Sequence, residues 1–189
     1  MSSRRDKPPR AGIADLLAIP EEQRFHELID GEIVEKAAPS GEHGGTQASL
    51  ATKLAAPFGC RSGGWRFATS VDVRFREDVC CPDVVGWRRE RAPERPRGAL
   101  VTLRPDWVCE VLSSNKRNDL VRKKHIYHRD HVDHYWIVDP EQETLAVYRW
   151  HADGYLEVLA AERGQRVRAE PFEAIELSIG ALFGDDDDE

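Results

Sequence analysis

The hydrophobic residues in the first half of the chain recur with the period of an α-helix over one long stretch. Leu50, Leu54 and Phe58 are four residues apart, with alanines beside them, so one face of a helix would bury all three. We therefore predict a helix over about 43–57. The other predicted helices are shorter and cover residues 13–19 and 119–129.

Alternation of apolar and polar residues marks several predicted strands. From Val71 to Phe75 every second residue is apolar, which is the pattern of a strand with one buried face. Asp30-Gly31 is a strong hairpin-turn signal between two strands. The predicted strands cover residues 25–29, 32–36, 65–69, 71–75, 83–87, 107–112, 135–138, 144–149 and 155–159. This order of elements implies a single domain of the α/β (α+β) class, a mixed and largely antiparallel sheet with helices packed on it.

The length of 189 residues fits one domain with a substantial core and is short for two. We place the domain at residues 13–183, between an N-terminal arm (1–12) and an acidic tail (184–189) that are both expected to be disordered. A composition of 40% hydrophobic and 32% charged residues is typical of a soluble globular protein. No apolar run approaches the length of a membrane span, and the N-terminus lacks the apolar core of a secretory signal, so we expect a cytoplasmic protein with no membrane partner.

The net charge of −7 is concentrated in the last residues, DDDDE, and the rest of the chain is close to neutral. Charge therefore supports DNA as a partner only weakly, through two local basic clusters at 88–97 and 116–129. The four cysteines form no C-x-x-C pair, which argues against a structural zinc site, and we expect all four to be reduced. The four histidines between residues 125 and 134 likewise form no zinc-binding frame.

One charged residue, Glu110, interrupts the apolar strand predicted at 107–112. A buried carboxylate is costly unless it is paired, hydrogen-bonded or bound to a metal. Two other parts of the chain offer partners: Asp83, at the head of another apolar strand, and the cationic segment 119–127. Two strand-borne carboxylates with a lysine nearby are what metal-assisted phosphodiester hydrolysis requires.

Asp83 and Glu110 are accordingly the predicted ligands of a Mg²⁺ ion, or of Mn²⁺ in its place. Mg²⁺ commonly takes one or two carboxylates and leaves its other positions to water and phosphate. Such an ion polarises the phosphoryl oxygen and lowers the pKa of a bound water, while a lysine beside it can orient that water and offset the charge developing at phosphorus. We prefer Lys123 to Lys124 as this lysine, because only Lys123 shares a helix face with the polar residues four positions away on either side.

Together with other motifs, these residues give the chain a resemblance to the Uma2 family of endonucleases, a branch of the PD-(D/E)XK nuclease superfamily. The matching motifs lie between about residues 21 and 183 and are ELIDGEIV (27–34), Pro39 with His43, Pro82-Asp83, PDWVCEVLSS (105–114), D-x-x-x-K-x-x-x-Y (119–127) and HYWIVDP (134–140). The resemblance implies a restriction-endonuclease-like core in which Asp83 and Glu110 hold a divalent ion. Leu112 stands where the superfamily pattern places its lysine, and Lys123 on the following helix matches the lysine of Uma2-like proteins.

The resemblance also adds two residues to the predicted site. Glu27 would serve as a further acidic ligand or position a water, and His43 would contact phosphate or transfer a proton. Each has an ordinary alternative, as a surface strand residue and a helix-start residue respectively. For Lys123 the alternative is a solvated helix face shared with Asp119, the predicted N-cap of that helix, and for Tyr127 it is packing in the core.

The leading hypothesis is a Mg²⁺- or Mn²⁺-dependent endonuclease acting on DNA phosphodiesters, with catalytic residues Asp83, Glu110, Lys123, Glu27 and His43. The alternative is a nuclease-like fold without turnover that binds nucleic acid or protein, which the departure at Leu112 motivates. A third possibility is a structural homo-oligomer formed through apolar strands, although a homodimer is also compatible with the nuclease. The target sequence, its strandedness and the choice of DNA over RNA stay open at this point.

Overall fold

A computed structural model of the protein describes residues 10–60, 64–113, 116 and 118–186. The helices of these ranges are α1, Ile13–Leu17; α2, Gly41–Phe58; and α3, Lys124–Arg129, which continues directly from a π-helical turn, Asn118–Lys123. The strands are β1, His26–Ile29; β2, Glu32–Glu35; β3, Trp65–Thr69; β4, Val73–Phe75; β5, Asp78–Cys80; β6, Val84–Arg88; β7, Trp107–Val111; β8, His134–Asp139; β9, Thr144–Arg149; β10, Leu156–Glu162; β11, Arg166–Val167; and β12, Leu177–Ser178.

The centre of the molecule is a six-stranded sheet with the strand order β10-β9-β8-β7-β6-β3. Strands β7 and β8 run parallel, and every other neighbouring pair in this sheet is antiparallel. The parallel pair requires a crossover connection, and the π-helical turn with α3 supplies it. A four-stranded sheet, β2-β1-β5-β4, and a two-stranded ribbon, β11-β12, complete the fold. The predicted mixed sheet flanked by helices is confirmed.

Both faces of the central sheet are buried. On one face Leu50 and Leu54 of α2 pack into a core that includes Trp107. The other face packs against residues of the four-stranded sheet and of α3, and Tyr127 and Tyr135 lie in this second core. Because β7 is covered on both sides, all five of its residues are buried. Burial on both faces explains why its sequence is almost continuously apolar instead of alternating.

The two longer predicted helices are found, with differences at their starts. The helix predicted over 43–57 begins at Gly41, and the Ser40 hydroxyl before it accepts a hydrogen bond from the His43 N–H (3.2 Å). Asp119, the predicted N-cap of the later helix, lies instead within the π-helical turn. Its side chain contacts Lys123 one turn further along, so it acts in an ion pair and not as a cap.

Strand β5 was not predicted from the sequence. It pairs with β4 in a tight hairpin in which Phe75 lies opposite Asp78, so that only Arg76 and Glu77 form the connection. Arg76 adopts a φ of +53°. Two-residue hairpin turns usually carry Gly, Asn or Asp at such positions, and the absence of these residues removed the signal.

The predicted arm and tail lie largely outside the described residues. At the inner end of the arm, the Ala11 N–H donates to the Gly31 carbonyl in the β1–β2 turn (2.8 Å). Within the tail, Asp185 forms an ion pair with Arg163. Within the described ranges, no helix combines the length and the apolar character needed to span a membrane.

Candidate active site

A cavity of about 100 Å³ lies where β1, the start of β6, the end of β7 and the helical segment after β7 meet. Val84 of β6 lies opposite Cys109 of β7, and this antiparallel register brings the residue before β6 level with Glu110. The cavity is lined by all five predicted side chains: Glu27 from β1, His43 from the first turn of α2, Asp83 from the residue before β6, Glu110 from β7 and Lys123 from the end of the π-helical turn.

Lys123 occupies the centre of the acidic cluster. Its Nζ lies 3.0 Å from Glu27 Oε1, 3.2 Å from Glu110 Oε2 and 3.1 Å from Asp119 Oδ1. The side chain is only 5% exposed. Burial opposes its charged form, but the three carboxylates outweigh burial and raise the pKa of Lys123 well above its ordinary value. One ammonium group thus holds together carboxylates from three elements of the fold.

Glu110 is 1% exposed and is bonded on both oxygens. The Tyr127 hydroxyl donates to Oε1, and the Lys123 ammonium donates to Oε2. Burial is the main reason why the pKa of Glu110 is raised well above its ordinary value, and repulsion from Asp119 and Asp83 adds to it, while Lys123 works against it. The pKa of Asp119 is raised for the same leading reason. Three carboxyl groups of this cluster thus share one lysine.

Asp83 is fixed by two different parts of the fold. Its Oδ2 accepts a hydrogen bond from the Val111 N–H of β7 (2.8 Å), and its Oδ1 lies 3.0 Å from His43 Nε2 in α2. The side chain of Gln47, also in α2, donates to the Asp83 backbone carbonyl (2.7 Å). The hydrogen bond to Asp83 raises the pKa of His43, although burial opposes it. These contacts fix the carboxylate of Asp83 beside the end of β7.

Glu27 connects the small sheet to the site. Its Oε1 accepts a hydrogen bond from the Cys81 N–H (2.7 Å), two residues before Asp83, and also contacts Lys123. Glu27 is 4% exposed, so it is not a surface strand residue. The packing of β1 against the β5–β6 connection thus sets where this third carboxylate lies.

The chain is similar to known proteins in sequence and in fold. The family model described as "Uma2: Putative restriction endonuclease" matches residues 13–180. The chain belongs to the Uma2 family. Among solved structures, a nuclease described as "putative" and belonging to DUF820, from Anabaena variabilis, superposes with a TM-score of 0.77 at 22% identity, covering 91% of this chain and 97% of the other. At this identity the likeness concerns the fold. No curated protein matches the chain.

In this Uma2 protein the lysine of the site comes from the helix after β7. Leu112, two residues after Glu110, is 7% exposed and packs in the second core. Lys124 points elsewhere, with its Nζ 3.7 Å from the centre of the Tyr148 ring. The geometry therefore brings Lys123, and not its neighbour, to Glu27 and Glu110.

Some polar residues of the cavity were not assigned to the site from the sequence. Lys36, Gln47 and Asp119 all line it. Asp119 gave a signal, because it lies four residues before Lys123, but its capping role seemed the simpler interpretation. Neither Lys36 nor Gln47 showed a signal in the sequence, because the contacts that bring them to the cavity join distant parts of the chain. Tyr127 both packs in the core and donates to Glu110.

The basic cluster at 88–97 lies away from this site. It follows β6, at the end of that strand opposite to Asp83. Arg89 donates to the backbone carbonyls of Trp65 and Gly59, and Arg91 pairs with Asp106. Arg89 and Arg91 therefore stabilise the fold through these contacts.

Among the residues that the structure describes, no group of three or more His, Cys, Asp or Glu side chains is arranged to hold a metal ion. In the histidine-rich stretch, His128 stacks on Trp150, and its Nε2 lies 2.7 Å from the His151 carbonyl. The four cysteines are all free thiols, as expected from the sequence.

Proposed function

We propose that this Uma2 protein is a metal-dependent endonuclease that hydrolyses DNA phosphodiester bonds. The observation that carries the proposal is the convergence of Asp83, Glu110 and Lys123 in one cavity, where carboxyl groups outnumber lysines. The family description as restriction endonucleases and the structural likeness to a protein described as a nuclease support it. The binding of metal, its identity and the choice of DNA as substrate are parts of the proposal.

The donor set fits a Mg²⁺ or Mn²⁺ ion. Asp83 and Glu110 would hold it, since Mg²⁺ commonly takes one or two carboxylates and fills its other positions with water and phosphate oxygens. Both side chains already accept hydrogen bonds, but each carboxylate offers about four lone-pair sites, so acceptor capacity remains. Glu110 and Asp119 share the ammonium of Lys123 with Glu27, so three carboxyl groups have one lysine between them. When bound, such an ion would polarise the phosphoryl group and acidify a water.

The protein's own side chains would hold the reacting groups in place. Lys123 keeps Glu27 and Glu110 together against their mutual repulsion and adds positive charge next to the phosphate. His43 holds the carboxylate of Asp83 through its Nε2 contact. Because these groups are buried in a small cavity, their interactions are stronger than they would be in water.

The test is nicking of supercoiled plasmid by the wild type and by Glu110→Gln, each with Mg²⁺, with Mn²⁺ and with EDTA. We expect the wild type to nick only with metal, and the variant to be slower by about 100-fold or more. Glu162→Gln, the same change at an exposed residue of β10, is the matched control and should behave as wild type. Metal-dependent nicking at the wild-type rate by Glu110→Gln would reject the site.

The competing function is a nuclease fold that binds nucleic acid or protein without turnover. The observation that favours it is the burial of Lys123, which is 5% exposed and whose ammonium is already shared by three carboxylates. In that case neither protein nicks the plasmid under any condition. Titration calorimetry with Mn²⁺ then separates a retired site, which binds no ion, from an intact site offered the wrong substrate, which binds the ion in the wild type and not in Glu110→Gln.

A further inference from the structure

The cavity contains a second lysine, Lys36, whose surroundings differ from those of Lys123. Lys36 follows β2 directly and lines the same cavity as Asp83 and Glu110. Its side chain is only partly buried. Its Nζ lies 2.8 Å from Cys81 Sγ. A second cation therefore lines the cavity of the predicted metal-binding carboxylates, and it comes from the residue after β2.

The two lysines are paired very differently. Lys123 is enclosed and has three carboxylate oxygens within 3.2 Å. In the part of the chain that the structure describes, Lys36 has no carboxylate oxygen within ion-pair distance, and its nearest polar partner is a sulfur. A thiol is a weak acceptor compared with a carboxylate or phosphate oxygen. Lys36 is thus the cavity cation that can take a new anionic partner without giving up a strong one.

The contact with Cys81 also leaves Lys36 with hydrogen-bonding capacity. A lysine ammonium has three N–H donors, and the contact with the Cys81 sulfur uses one of them. Two donors of Lys36 are therefore not used by the sulfur.

We propose that Lys36 contacts the substrate directly, donating to a non-bridging oxygen of the DNA phosphate that enters the cavity, whereas Lys123 is a positioning residue that keeps the carboxylates together. The inference rests on the proposed nuclease function. It gives the two lysines different roles, one in binding phosphate and the other in holding the carboxylates. Phosphate oxygens would replace the Cys81 sulfur as the acceptor. Lys123 stays with its carboxylates throughout.

The test measures how salt weakens the binding of a DNA duplex, without cleavage, in EDTA and in Ca²⁺. Each lysine that neutralises a phosphate contributes about 0.9 to the slope of log K against log salt. We expect Lys36→Gln to lower the slope by about 0.9, and Lys36→Arg to keep the wild-type slope because the cation remains. Lys124→Gln removes an equal charge outside the cavity and should also keep it. Thermal unfolding of each variant verifies that it is folded.

The outcomes separate this inference from the function on which it rests. If the wild type binds the duplex and nicks plasmid but Lys36→Gln retains the wild-type slope, Lys36 does not contact phosphate, and the nuclease function stands. If the wild type neither binds the duplex in a salt-dependent way nor nicks plasmid, both proposals fail. A lowered slope in Lys36→Gln together with a raised KM in Mg²⁺ and a wild-type slope in Lys124→Gln supports the assignment.

Discussion

Two carboxylates close together in the sequence are buried at opposite ends of the same strand, in opposite electrostatic situations. Asp106, just before β7, is 2% exposed, and Glu110, within β7, is 1% exposed. Asp106 accepts a hydrogen bond from the Arg88 N–H (2.8 Å) and pairs with the guanidinium of Arg91. It thus has one cation to itself.

The Glu110 end of the strand is not balanced in this way. Glu110 shares the ammonium of Lys123 with Glu27 and Asp119. A buried pair with one charge of each sign can be purely structural, whereas buried like charges repel and are retained where chemistry needs them. The comparison teaches that burial alone does not mark the site on β7. The excess of carboxylates over cations, beside a cavity, does.

Removing the shared cation is the strongest way to disturb this comparison. We expect Lys123→Met to lower the free energy of unfolding by about 3–5 kcal/mol, because three buried carboxylates lose their common partner. The loss should be smaller at pH 5 than at pH 8, since carboxyl groups that take up protons no longer repel. Urea denaturation at both pH values measures it. Lys124→Met, which removes a cation–π contact at Tyr148, should cost less than about 1 kcal/mol, and equal losses in the two variants would contradict the shared-cation account.

A substitution at Asp106, whose charge is balanced by Arg91, should change the stability of the protein and not its activity. We expect Asp106→Asn to lower the free energy of unfolding by about 1–3 kcal/mol, because Arg91 loses its charged partner and asparagine keeps only one acceptor oxygen for the two donors. Plasmid nicking per folded molecule should stay at the wild-type level. Loss of nicking in a folded Asp106→Asn protein would mean that the two ends of β7 are not functionally separate.

A further expected effect is on the pH dependence of stability. Because the pKa of Glu110 is raised in the folded state, the folded protein binds more protons than the unfolded chain above the ordinary glutamate value of about 4.3. The free energy of unfolding should therefore fall as the pH rises through this range, by at most about 1.4 kcal/mol per pH unit from this group. Glu110→Gln should flatten that fall in denaturation experiments between pH 5 and 8. A variant as steep as wild type would indicate that Glu110 is already ionised there.

Much of the fold follows from local pattern. The leucines of α2 predict its buried face because packing against the sheet requires a helical period. The apolar run of β7 predicts a strand covered on both sides. The pattern is silent at β5, where Arg76 takes an unusual backbone conformation that the flanking β-sheet pairing enforces. Strand order is likewise not a local property, and the separate four-stranded sheet was not expected.

The same distinction between local pattern and tertiary packing applies to the residues of the candidate site. Glu110 could be singled out because a charge within an apolar strand is costly without a partner. The resemblance to the Uma2 family, now supported by the family match, pointed to Glu27 and His43. Lys36 carried no signal, because its place beside the cavity depends on how the small sheet docks on the large one.

The sequence by itself determined which groups are available and which strand must bury a carboxylate, because hydrophobic period and the cost of burying charge are local properties. The tertiary structure decided how those charges are shared. Lys123 meets Glu27, Glu110 and Asp119 only because β1, β7 and the helical turn converge. Coulomb energy depends on distance and on local dielectric, and for residues far apart in the chain both are set by packing.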